Sequence, residues 1–352
     1  MRILHISNTY IPEDGRILKA MDCYDQQSHS IFGVGVLAPE KGRPGELPSR
    51  GNIVSLPLII RKLKFLPRIV RKFIEPLELM VGVVLIAVKF KPELIHCHDV
   101  PALPTACIVK LLTRARLVYD AHELSSDKNG LSRWAGVIVF RVERLLWPII
   151  DGLIVVSPSI GTWYKNHFSE KSTFVVLNSP RLSDIHLEKP TNYLRQHFGI
   201  SNSSKIYIYV GILNIGRSID IISRVFDAHE GEAHVVFLGY GEFADDLRSL
   251  ASSSPRIHFH EPVAHDEVVS IIRSADVGLC LIEPVSLSDK YCLPNKLFEY
   301  ILAELPVIAS NLPDITMLLS SYGGGICIEN SDEALRNAIT AIEHGQVELP
   351  LP

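Results

Sequence analysis

The sequence has no long apolar run. Its longest, Leu79 to Val88, is ten residues, roughly half of the ~20 that cross a bilayer as a helix. Six cysteines (Cys23, Cys97, Cys107, Cys280, Cys292, Cys327) stand apart with no C-x-x-C pair. That argues against a disulfide framework or a zinc knuckle and for buried thiols in a reducing compartment. Neither sign of charge is in excess: 35 Lys and Arg face 39 Asp and Glu, a net −4, so nothing global points to nucleic acid. The opening residues Met1 to Ser7 read as a strand and lack the apolar core and cleavage site of a signal peptide. A cytoplasmic location is therefore expected. Cofactor fingerprints are missing too. The first strand runs into Ser7–Arg16 without G-x-G-x-x-G, Gly33 and Gly35 lie inside a strand, and Gly239 and Gly241 lack the third glycine. No Walker lysine motif occurs, so NAD and P-loop chemistry are set aside.

What is present is apolar material: 47% of the 352 residues, with a mean hydropathy of +0.19. Short β-branched runs recur from end to end, among them Ile3–Ser7, Ile31–Leu37, Leu94–Cys97, Leu117–Tyr119, Ile206–Val210, His234–Leu238, Val277–Leu281 and Pro306–Ala309. Amphipathic segments such as Ile219–Ala228, His265–Arg273 and Asp332–Ile342 separate them. Continuous rather than alternating apolar strands imply burial on both faces, and so parallel sheets with helical crossovers. Between Asn178 and Asn202 the pattern lapses into Ser, Pro, Asn and charge. We read an α/β chain of two doubly wound Rossmann-like domains, residues 1–185 and 205–352, joined by a linker over 186–204. Ligands are expected at the carboxyl ends of the strands, in a central cleft that the two domains face.

Two segments suggest chemistry. In Leu293-Pro-Asn-Lys-Leu-Phe-Glu-Tyr300 a loop enters a helix at Pro294, and the free N–H groups beside Asn295 and Lys296 suit phosphate. Glu299 lies one turn on and could accept from two vicinal sugar hydroxyls. In Tyr209-Val-Gly-Ile-Leu-Asn-Ile-Gly-Arg-Ser218, Gly211 lets backbone approach a ligand and Arg217 offers a fork to phosphate oxygens.

Together these segments resemble the donor half of a GT-B glycosyltransferase of family 4 (glycosyl transferases group 1). In the N-terminal half, Asp14-Gly-Arg-Ile-Leu-Lys-Ala20, Ile95-His-Cys-His-Asp-Val-Pro-Ala-Leu-Pro104 and Tyr119-Asp-Ala-His-Glu-Leu124 are similar to motifs of the same family. The resemblance implies a sugar transferase that retains anomeric configuration and needs no metal or other cofactor. Its donor would be a nucleoside diphosphate sugar and its acceptor a saccharide or lipid-linked saccharide, in the synthesis of a surface polysaccharide or glycan. By the resemblance Glu299 holds ribose, Arg217 and Lys296 neutralise the diphosphate, and Asn295 supports it. The base lies near Gly239 and Glu261. His122 faces the sugar with Asp120 and Glu123 in support, and Asp14 and Arg16 border the substrate. Tyr291 stands where the family places the first of two glutamates, which leaves Asp289 or Glu283 for that role.

Plainer readings stand beside these. His122 is otherwise a satisfied core histidine, Arg217 a solvated helix start, Glu299 an exposed helix position, and Asp14 and Arg16 a mutual pair. His96 and His98 share one strand face and, with His122, form a candidate metal set that the proposed chemistry does not require. The segment Arg61–Lys72 carries six cations and no anion among apolar residues. It suits an anionic membrane surface, hence a peripheral location at the inner face of the cytoplasmic membrane, or else a solvated helix. Two rivals remain: a nucleotide-sugar epimerase of the same fold, and a non-catalytic subunit that binds nucleotide sugar.

Overall fold

The computed structural model describes residues 1–37, 52–63, 67–180 and 190–352. It divides into two compact units, Met1–Val176 and Leu177–Pro352. The expected boundary at residue 185 falls outside the described residues. Of the expected linker, residues 190–204 are not bare chain: they include a helix, Tyr193–Phe198, whose Leu194 is buried in the second unit.

The first unit is built on seven strands: β1 (Arg2–Ile6), β2 (Ser30–Val36), β3 (Ile53–Leu56), β4 (Leu94–His98), β5 (Arg116–Ala121), β6 (Gly152–Val155) and β7 (Ser172–Val175). They pair in parallel in the order β3-β2-β1-β4-β5-β6-β7. Its helices are α1 (Gly15–Asp25), α2 (Arg68–Phe90), α3 (Leu103–Thr113), α4 (Arg133–Leu146) and α5 (Pro158–His167). The strand order reverses between β1 and β4, and the chain leaves both strands there at their carboxyl ends. Such a switch point opens a crevice for ligands. The expectation of strands buried on both faces holds for the centre of the sheet and fails at β7, whose four residues are all exposed at the edge.

The second unit repeats the plan with β8 (Ile206–Ile212), β9 (His234–Tyr240), β10 (Ile257–His260), β11 (Val277–Cys280), β12 (Val307–Ser310) and β13 (Gly325–Ile328). The order is β10-β9-β8-β11-β12-β13, again parallel, with the switch point between β8 and β11. Helix α6 is Tyr193–Phe198; after it come α7 (Ile219–Asp227), α8 (Ala244–Ser253), α9 (His265–Ile272), α10 (Leu287–Lys290), α11 (Asn295–Leu302), α12 (Pro313–Tyr322) and α13 (Asp332–Glu343). Apolar clusters fill both faces of this sheet.

Part of the high hydropathy sits in α2. One face buries Leu79, Val83 and Ala87, while Leu77, Val81, Leu85 and Val88 are exposed on another. The spacings of three and four place the exposed set on one stripe. Helix α2 packs on α3 and α3 on α4, and these add exposed Leu111, Leu112, Trp134, Ile138 and Leu145. Of the basic segment 61–72, residues 64–66 and the side chains of Lys62, Arg68 and Lys72 lie outside the described residues. Among the described residues no helix is long and apolar enough to cross a membrane.

Beneath β5, α4 carries a buried acid. Glu143 Oε1 accepts from the hydroxyls of Tyr119 at 3.0 Å and Tyr164 at 2.6 Å, while its other oxygen has no partner among the described residues. Burial pushes its pKa up from 4.5 to about 7, against the two hydroxyls that favour the anion. A carboxyl whose folded pKa is raised contributes stability at low pH and loses it as pH climbs from the unfolded value to the folded one. At 1.36 kcal/mol per unit the loss here is about 3 kcal/mol. Glu143→Gln keeps an acceptor for the tyrosines and removes the titration. Its melting temperature should exceed the native protein's at pH 8 and match it within error at pH 5. Parallel melting curves would refute a buried titrating acid.

Candidate functional site

In the second unit the site lies past the carboxyl ends of β8 and β11. These strands pair at only two positions, Tyr207 with Val277 and Ile208 with Gly278, and then part. Tyr300 of α11 fills the parting. Its hydroxyl receives the N–H of Val210 at 3.1 Å and lies 3.0 Å from the carbonyl of Ile208. Gly278 is glycine for this reason, since a Cβ there would stand 2.7 Å from the Tyr300 ring. Sequence reading missed this brace, and Gly278 inside an apolar strand was its signal.

With Tyr300 fixed, α11 presents its first turn to the crevice. Pro294 is the residue before the first turn rather than within it, and Asn295 opens the helix, exposed. Lys296 is buried, its Nζ 3.5 Å from the centre of the Tyr209 ring and without a hydrogen-bond partner among the described residues. A Cβ on Gly211, which has φ +119°, would lie 3.8 Å from that nitrogen, so backbone and ammonium share one surface. Burial drives the Lys296 pKa down to about 7; the positive field of Arg217 adds to the fall and Glu299 opposes it. Glu299, one turn along, is buried with His265 Nδ1 at 3.8 Å from its carboxylate.

Arg217 precedes α7 and is a third exposed. It donates to Asp289 of α10 at 3.3 Å, and Asp289 is itself buried and bonded by Ser286. Glu283 accepts from the N–H of Ser218 at 3.1 Å. Both carboxylates suggested as stand-ins at Tyr291 are therefore occupied in holding the Arg217 loop. Gly239 has φ +154°, and a methyl there would collide with the Gly211 carbonyl. Its glycine is thus accounted for by close packing of β8 and β9. Glu261 is exposed and held by two guanidinium nitrogens of Arg248, Nε at 2.8 Å and a terminal nitrogen at 2.9 Å.

In the first unit the switch point gathers Arg16, Asp120 and His122. Asp14 and Arg16 do not pair with each other, contrary to the plainer reading. Asp14 caps α1, accepting from the N–H of Ile17 at 3.1 Å. Arg16 is buried and donates to Asp120 through Nε at 3.2 Å and a terminal nitrogen at 2.7 Å. That carboxylate also meets His96 Nε2 at 3.3 Å. Burial opposes its charge, yet His122, His96 and Arg16 together hold its pKa well below the usual range.

His122 Nδ1 lies 3.3 Å from Asp99, and Nε2 lies 3.2 Å from His98 and 3.6 Å from Asp120. Burial opposes protonation of the ring, but the two aspartates prevail and raise its pKa. Asp99 also accepts from the His122 backbone N–H at 3.0 Å. Its own backbone sits at φ +63°, ψ 164°, a region costing about 1–3 kcal/mol for a residue with a side chain.

Sequence reading missed His5, a polar interruption near the end of β1 that pairs in register with His96. His5, His96 and His98 have ring nitrogens close enough for a shared ion, as do His98, Asp120 and His122. The first three rings stack nearly parallel, with centroids at 4.4 to 5.3 Å. His5 Nδ1 and His98 Nε2 lie 3.0 Å apart, so these two rings already bond to each other. In the second set Arg16 already occupies the carboxylate.

Comparison with known proteins agrees with this architecture. Residues 204–344 match the family Glycosyl transferases group 1, and residues 24–178 match the Glycosyl transferase 4-like domain. Sulfoquinovosyl transferase SQD2 of Arabidopsis thaliana is 24% identical over 241 residues, 64% of this chain and 45% of that one. The match thus spans less than half of that relative's length. Among solved structures, sucrose-phosphate synthase from Thermosynechococcus elongatus superposes with a TM-score of 0.78 at 15% identity, over 97% of this chain and 89% of that one. Anabaena HepE, solved with UDP and glucose, gives 0.71 at 17%, over 98% and 91%.

The Lys296 site carries its own test. A lysine whose folded pKa is depressed destabilises the fold below that pKa and ceases to do so as pH rises to the unfolded value. Lys296→Met, similar in volume and uncharged, should raise the melting temperature of the ligand-free protein at pH 6 and lose that advantage towards pH 10. An advantage independent of pH would show that the ammonium is not desolvated.

Proposed function

Because the chain belongs to the glycosyltransferases of the GT-B, family 4 type, we propose that it transfers a sugar, with retention, from a nucleoside diphosphate sugar to a saccharide or lipid-linked saccharide in surface polysaccharide or glycan synthesis. The observation that carries the donor is Lys296: a buried ammonium with no hydrogen-bond partner among the described residues, beside Arg217 and the first turn of α11. A diphosphate supplies the charge that this site lacks. Arg217 and Lys296 meet its oxygens, and the N–H groups at Asn295 add a helix N-terminus. Those cations do the work a divalent ion does elsewhere, so the reaction takes no metal. Glu299 accepts from the two ribose hydroxyls, and Gly211 allows the backbone to close on the donor. HepE, solved with UDP and glucose, supports a donor of this class.

Bond breaking leaves negative charge on the leaving diphosphate, and stabilisation aimed there lowers the barrier most. The acceptor hydroxyl attacks from the face the diphosphate leaves, giving its proton to a departing phosphate oxygen. His122, with both ring nitrogens already engaged, borders the sugar as an oriented ring rather than a free base.

A thermal-shift panel of nucleoside diphosphates and their sugars tests the donor site, since a ligand of the native state raises its stability with affinity. At least one should raise the melting temperature. The phosphate binds the ammonium form, so affinity should fall as pH rises above about 7. Arg217→Ala should cost about a hundredfold or more in kcat. Flat responses to every nucleotide, or full turnover by that variant, would overturn the assignment.

The exposed apolar stripe of α2, next to the basic segment 61–72, is the surface we assign to an anionic membrane carrying the acceptor. Replacing Leu77, Val81 and Leu85 together by Ser should abolish cosedimentation with vesicles containing anionic lipid while leaving nucleotide binding intact. Unchanged cosedimentation would remove the stripe from that role.

A further inference from the structure

His122 does not stand alone. His98 Nδ1 is 3.2 Å from His122 Nε2, and His98 Nε2 is 3.0 Å from His5 Nδ1. His5 Nε2, at the far end, is buried and has no hydrogen-bond partner among the described residues. At the near end Asp99 Oδ2 lies 3.3 Å from His122 Nδ1. The rings of His5 and His98 are fully buried, whereas that of His122 is partly exposed.

Proton counting allows one arrangement for three neutral rings. A neutral imidazole has one donor nitrogen and one acceptor. The Asp99 carboxylate accepts only, so His122 carries its proton on Nδ1 and its Nε2 is an acceptor. His98 must then donate from Nδ1, which leaves its Nε2 to accept from Nδ1–H of His5. The bare Nε2 of His5 closes the chain. Now let His122 take a second proton, on Nε2. Two N–H groups 3.2 Å apart would repel, so the proton of His98 moves to Nε2, and by the same logic that of His5 moves to Nε2. The two states differ by one proton in all, held on His122, and by the tautomer of two buried rings.

We propose that His98 and His5 are positioning residues for His122: the three rings form a directional hydrogen-bond chain anchored on Asp99 that reverses as a unit when His122 is protonated. The surroundings favour this over independent rings. Burial holds His5 and His98 neutral, with pKa values well below the ordinary one. His96 stacks on both, 4.8 Å from His5 and 4.4 Å from His98, and points its own Nε2 to Asp120 instead. The other charged or titratable groups facing the chain are Arg16 and Tyr24 on α1, and Asp120 and Glu123 around the end of β5. Asp120 Oδ2 lies 3.7 Å from His98 Nδ1 and 3.6 Å from His122 Nε2, farther than those two nitrogens lie from each other, and is held by Arg16, while Glu123 is held by Lys128 at 2.6 Å. Tyr24 meets the His5 ring edge-on. The chain also gives the strained Asp99 a role: without its carboxylate at Nδ1, nothing sets the direction.

The test is long-range 1H–15N correlation on protein labelled with 15N-histidine, across the titration of His122. Above it, His5, His98 and His122 should each be protonated on Nδ1. Below it, His122 should be doubly protonated and the other two should have switched to Nε2–H. If either keeps one tautomer throughout, or carries its proton on Nε2 while His122 is neutral, the proposal fails. Stoichiometric uptake of Zn2+ alone by the metal-stripped protein at these rings would overturn it as well. This readout needs no substrate, so it stands apart from the proposed sugar transfer, on which a second arm rests. His98→Gln keeps a bond to His122 but cannot change tautomer. The NMR titration of His122 should move by about one unit, and any limb of kcat that follows that titration should move with it, while KM for the donor holds. An unmoved His122 titration in a folded variant would leave His98 without this role.

Discussion

A parallel sheet covered by helices on both faces admits water only past the ends of its strands, so a polar side chain near those ends must be met by another polar group. Both units of this protein are organised by that requirement. In the first, Asp120 at the end of β5 is buried and takes Arg16, His96 and, at longer range, His122. Removing one of these would leave a buried charge without its compensation, a large penalty. In the second, Asp289 holds Arg217 and Glu283 holds the backbone of the same loop. Lys296, by contrast, is a buried cation left without a hydrogen-bond partner among the described residues.

The two switch points solve the same problem in opposite ways. The first pairs its charged groups internally, through a bidentate ion pair beside stacked imidazoles, and leaves the outer nitrogens of His5 and His96 without a hydrogen-bond partner among the described residues. The second withholds satisfaction from an ammonium and accepts the cost in stability. Such an incomplete site is prepared for an incoming charge, because the ligand supplies what the fold omitted.

Much of this was legible from the chain. Continuous apolar runs gave the central strands, such as Ile206–Ile212 and Val277–Cys280, because burial on both faces leaves no room for alternation. The lapse after Asn178 lay close to the division of the units but concealed the helix Tyr193–Phe198, a single turn or two too short for periodicity to register. Arg217, Lys296 and Glu299 were visible because their spacing around a loop and a helix start is local. Asp14 and Arg16 were visible as a pair, but their partners were not. Asp14 caps its own helix, while Arg16 reaches across the sheet to a residue more than a hundred positions away.

The sequence by itself determined the fold class, the order of the elements and the charged residues at helix and loop starts, since propensity, burial pattern and capping act over a few neighbouring residues. Only the tertiary structure decided which of those charges are spent and which are free. Arg248 claims Glu261, Asp289 claims Arg217, and Tyr300 props β8 against β11 so that Lys296 is left facing the crevice. It also decided that His5 on β1, His98 on β4 and His122 just past β5 form one chain. Strand register and crossover order set those distances, and pairing between distant segments leaves almost no trace in any one of them.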